Sequence, residues 1–78
     1  MTFEQINEIR DLIADTHEVL CEGEVTQYDL AQLYEVIKRL MDATAKARDK
    51  GMRVALASLE YAARKEKALI EKQLAIRN

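Results

Sequence analysis

His17 and Cys21 are the residues whose chemistry is easiest to name. Four positions apart on a helix, they would stand one turn above the other and could offer an imidazole and a thiolate to one metal ion. A metal site takes three or four protein ligands, however, and the chain holds one histidine and one cysteine. Glu18 and Glu24 would add only weak donors, so no metal or other cofactor is expected. A partly exposed His17 and a semi-buried Cys21 near a helix end are expected instead. Nucleophilic catalysis has as little to work with. Ser58, the only serine, falls in an apolar helical stretch, where no Ser-His-Asp arrangement can form. No glycine-rich phosphate loop is present, and the reading is of a protein that is not an enzyme.

The carboxylates carry the strongest pattern. Glu4, Glu8, Asp11, Asp15, Glu18 and Glu22 recur at intervals of 4, 3, 4, 3 and 4, which aligns six acids along one side of a helix. An exposed row is poor ground for acid-base catalysis, which needs carboxyl groups in contrasting environments. Each neighbouring pair is instead a repulsive contact of roughly 0.2–0.5 kcal/mol, about 1–2.5 kcal/mol for the row before salt screening. Arg10, the only base in this segment, has no acid three or four positions away. Elsewhere the chain uses the favourable spacing, in Glu35/Arg39, Asp42/Lys46 and Glu60/Arg64. On the first helix such pairs are omitted.

Charge is divided along the chain as well. Residues 1–45 hold ten acids against three bases, a net −7, and residues 46–78 hold nine bases against four acids, a net +5. The division suggests either internal complementarity or a charged partner. Three readings of the acidic row follow. It is a solvated face that aids solubility, or it meets the basic half of another copy in a homo-oligomer, or it docks on a basic surface of a different protein. Carboxylates on successive turns are about 5–6 Å apart, a spacing close enough to successive phosphates to compete for a nucleic-acid-binding groove. The leading expectation is a protein-interaction module, of the inhibitor kind that phages and mobile elements use. Partner-binding residues are expected to be Glu4, Glu8, Asp11, Asp15, Glu18, Glu22 and Tyr28. A homo-oligomeric assembly protein is the alternative. A secondary basic patch of Lys46, Arg48, Lys50 and Arg53 offers a weaker route to nucleic acid, against a net charge of −2 and with Asp49 inside it.

The elements that must position these residues are helical. Proline is absent, glycine occurs only at positions 23 and 51, and apolar residues make up 49% and charged residues 33% of the chain. That profile favours helix nearly throughout and argues against disorder. The N-terminus, Met-Thr-Phe-Glu-Gln, is charged within a few residues and has no long apolar run, and nowhere do about 18 apolar residues run together, so no signal peptide, no membrane span and a cytoplasmic location are expected, and a lone thiol suits reducing conditions. Seventy-eight residues make one domain, 1–78, of marginal stability.

Thr2 and Gln5 form a capping-box pattern, and Ile6, Ile9, Ile13 and Leu20 give the first helix its buried seam, with Thr16 in the remaining slot. Gly23 ends it. Thr26 and Asp29 open the second helix, whose seam is Leu30, Leu33, Ile37 and Leu40. Gly51 predicts a second stop, although no capping residue follows it. An all-α three-helix bundle is therefore expected, with helices at about 2–22, 26–50 and 52–76. The alternative is a helical hairpin with one long helix over 26–76, roughly 75 Å at 1.5 Å per residue, which would need an oligomer to bury it. At their helical spacing Tyr34 and Tyr61 are expected in the core or at its rim, and Tyr28 exposed.

Replacing Asp11, Asp15 and Glu18 together by lysine turns the 8–11 and 18–22 pairs from repulsive to attractive. Chemical denaturation should show a gain of roughly 1 kcal/mol, with the helical circular dichroism preserved. A loss of stability would contradict a strained acidic row.

Overall fold

The computed structural model describes residues 1–77, and the side chain of residue 77 is outside that description. It contains three helices, α1 (Phe3–Glu22), α2 (Gln27–Lys46) and α3 (Lys50–Arg77), packed as an up-down-up bundle 43 Å long and 18 by 16 Å across. No strand occurs among the described residues. The three-helix arrangement is thus the one adopted, and the long 26–76 helix is not.

Local chemistry sets each boundary. The Gln5 N–H donates to Thr2 Oγ1 at 3.2 Å while Gln5 Oε1 accepts from the Thr2 N–H at 2.9 Å, closing the expected capping box. Thr26 and Asp29 form a second one, at 3.4 and 2.8 Å. Gly23 ends α1 with φ +77°, a left-handed conformation that a residue with a Cβ rarely adopts. Between the two caps, Val25 is 1% exposed and plugs the bundle end from a connecting loop. Its place directly before the N-cap, with Leu30 four residues into α2, is the pattern of a hydrophobic staple.

The second turn departs from the expectation. α2 ends at Lys46, with Ala47 in extended backbone (φ −71°, ψ 131°), rather than at residue 50. Gly51 does not terminate anything, because it lies in the first turn of α3. The cap was upstream of the glycine: Asp49 Oδ2 accepts from the Met52 N–H at 2.9 Å. Sequence reasoning places Asp49 in the turn at Gly51 and inside the basic patch, and misses its capping role.

The core is one cluster. Ile6, Ile9 and Ile13 come from α1, Leu33, Val36, Ile37 and Leu40 from α2, and Leu56, Leu59, Ala63 and Ile70 from α3. α3 packs most extensively on α2, while α1 and α2 meet least, so α3 is the element that holds the other two together. Thr16 fills its slot in the α1 seam by donating its hydroxyl to the Leu12 carbonyl at 2.8 Å. Tyr34 and Tyr61 are not core residues. They are 51% and 72% exposed, because α2 and α3 turn smaller residues inward at those levels and leave the rings outside. Tyr34 stacks under Lys67, whose Nζ lies 4.8 Å from the ring centroid and 2.8 Å from Glu71 Oε1. The hydrogen bond to Glu71 is the main reason the Lys67 ammonium holds its proton above its ordinary range.

Asp49→Ala should cost about 1 kcal/mol in urea denaturation by removing the α3 cap. No measurable cost would mean that α3 starts without it.

Candidate acidic docking face

The elements above fix where each acidic side chain points. Because Ile6, Ile9, Ile13 and Thr16 face inward, the opposite side of α1 must face out. Glu4, Glu8, Asp11, Asp15, Glu18 and Glu22 are all exposed. None of the six has an ion pair or hydrogen bond within the described residues, and Arg10 turns to Asn7 Oδ1 at 3.1 Å instead. The charge division along the chain is therefore not settled internally. Tyr28, expected beside the row, is 69% exposed at the start of α2, and its hydroxyl accepts from Gln32 Nε2 at 2.7 Å.

The bases behave differently. Asp42 pairs with Lys46 at 3.2 Å and Glu60 with Arg64 at 2.9 Å, as the spacing predicts, whereas Glu35 and Arg39, at the same spacing, form no ion pair among the described residues. Lys46, Arg48, Lys50 and Arg53 are exposed around the α2–α3 turn. Lys46 and Arg48 border a cleft of about 620 Å³ that Arg39 also lines, with Met1 and Phe3 from the start of α1 and an apolar floor including Ala43 and Leu56. Asp42 and Asp49 stand in the same cleft and dilute its positive charge.

One contact was missed by sequence reasoning. Glu66 lies on the inward side of α3 and is only 5% exposed, a carboxylate at a core position. His17 reaches across from α1, with Nδ1 at 2.5 Å from Glu66 Oε1 and 3.0 Å from Oε2. The other ring nitrogen, Nε2, faces Cys21 Sγ at 3.5 Å. The thiol is exposed rather than semi-buried, since α1 has reached its final turn there and nothing packs over it. Thiol, imidazole and carboxylate thus stand in the order of a nucleophile, a base and its orienting acid. Cys21 stands exposed in the last turn of α1, next to the acidic Glu22. The row ties α1 to α3. No group of three or more histidine, cysteine or acidic residues among the described residues is arranged to hold a metal. No described helix is long and apolar enough to cross a membrane.

No protein-family model matches the sequence, and no curated protein or solved structure resembles it significantly.

His17→Ala should destabilise the fold by about 1–3 kcal/mol, since it strands a buried carboxylate. Glu66→Leu should cost much less, or stabilise, because it removes the buried acid altogether. Thermal unfolding of the two variants compares them, and equal losses would contradict the tether.

Proposed function

We propose that the chain is a non-enzymatic interaction module that docks the acidic face of α1 on a basic surface of a partner protein. The observation that carries this reading is the exposed, unpaired state of six carboxylates along one helix face, while Asp42, Glu60 and Glu71 on the other two helices are each paired with a base. An uncompensated row of this kind lowers the stability of a domain too small to have much in reserve. A positive surface converts that cost into attraction and steers the encounter over a distance set by salt.

The partner chemistry follows from the pattern. Acids on successive turns give a rigid line of negative charge about 5–6 Å apart, the kind of line a nucleic-acid-binding groove is built to receive. The module would then act as an inhibitor by occupying that groove, in the manner of phage or mobile-element proteins, within the cytoplasm. Direct binding to nucleic acid is disfavoured, because the net charge is −2 and Asp42 and Asp49 interrupt the basic cluster. A homo-oligomeric role draws support from a separate feature, the exposed apolar side chains along α3.

The test is capture from the source cell with the chain as bait. Nucleic-acid-binding proteins should be retained, released by heparin, and lost when Asp11, Asp15 and Glu18 are replaced by lysine. Undiminished capture by that variant would remove the acidic face from the contact.

A further inference from the structure

α3 carries two apolar stripes, and the bundle buries one. Leu56, Leu59, Ala63 and Ile70 go into the core. On the far side, Val54, Tyr61, Leu69 and Ile76 are 62%, 72%, 40% and 76% exposed. Lys65 and Lys72 fall between Tyr61, Leu69 and Ile76 at intervals of three and four residues, and Val54 continues the same face one heptad before Tyr61 with the exposed Ser58 between them. No acid of α3 offsets these lysines: Glu60 is taken by Arg64, Glu71 by Lys67, and Glu66 is buried against His17. Lys65 and Lys72 have no ion-pair partner within the described residues. An apolar face bearing only positive charge is left uncovered.

We propose that this face receives the acidic row of α1 from a second copy of the chain, so that copies associate head to tail. Charge selects the pairing. Two α3 faces set against each other bring lysines together, and two α1 faces bring carboxylates together, so unlike faces are the pair without like-charge opposition. Their lengths agree: Val54 to Ile76 spans about 33 Å and Glu4 to Glu22 about 27 Å at 1.5 Å per residue. One molecule cannot satisfy its own pair. His17 packs beside Glu66 and Gly23 lies near Gln73, so α1 and α3 run parallel through their inner sides while their outer faces look away from the core. The contact is therefore heterologous and repeats from copy to copy, by ring or by open chain. Anionic lipid is a poorer occupant, because a chain of net charge −2 that displays six unpaired acids is repelled from it.

This inference shares the α1 face with the proposed function, and the α3 variant separates the two. Lys65→Glu with Lys72→Glu should abolish self-association and leave capture of a basic partner intact. Sedimentation of the whole chain reads the assembly directly. In 0.01 M salt, where screening reaches about 30 Å, the mean mass should at least double from 9.0 kDa as concentration rises. In 1 M salt, where it reaches about 3 Å, the mass should fall back toward one chain. The α3 pair of substitutions alone, or Asp11→Lys, Asp15→Lys and Glu18→Lys together, should give a monomer with unchanged helical circular dichroism. A wild-type chain that stays monomeric in low salt, or an assembly indifferent to either set of substitutions, would overturn the proposal. Wild-type monomers that bind phosphatidylserine vesicles through Lys65 and Lys72 would overturn it in favour of a lipid surface.

Discussion

Three helices packed about one axis can each bury one side only, and that constraint decides what this chain offers its surroundings. On α1 the buried side is Ile6, Ile9, Ile13 and Thr16, which turns six carboxylates outward together. On α3 it is Leu56, Leu59, Ala63 and Ile70, which leaves a second apolar stripe in water. Both outward faces are consequences of one packing arrangement. No ion pair among the described residues compensates the charges of either face.

Energetic scale gives these faces their meaning. A domain of this size typically has several kcal/mol of net stability, at about 0.05–0.15 kcal/mol per residue. Repulsion along the α1 row, on the order of 1–2.5 kcal/mol at low salt, is a substantial fraction of that. Burying Glu66 makes a further demand that only His17 meets. Among the described residues the molecule also closes two capping boxes and forms three i,i+4 ion pairs. Its stability is thus assembled from many small local contacts, with the acidic row as the exception.

Much of this architecture was legible in the residues. Thr2, Gln5, Thr26, Asp29 and Gly23 each act through contacts within a few positions, so their roles follow from spacing alone. The acidic row was legible for the same reason, since a 4-3 repeat fixes a face whatever the fold. What escaped depends on which of two faces a helix buries. Tyr34 and Tyr61 fit the spacing of a core and lie outside it. Glu66 stood within a charged tetrad, Arg64 to Lys67, that reads as solvated, and only the approach of α1 makes it interior. Asp49 was overlooked because the glycine beside it gave a louder signal than the cap in front of it.

The central claim is that the α1 row is a contact surface rather than a solvated one. Carbodiimide labelling of carboxyl groups, read by mass spectrometry, addresses each of the six side chains separately. In the dilute free chain all six should label readily, and in the complex with its partner Glu8 through Glu18 should be protected while Glu35 on α2 is not. Equal labelling of the row in the free and bound states would contradict the account, whatever the partner proves to be.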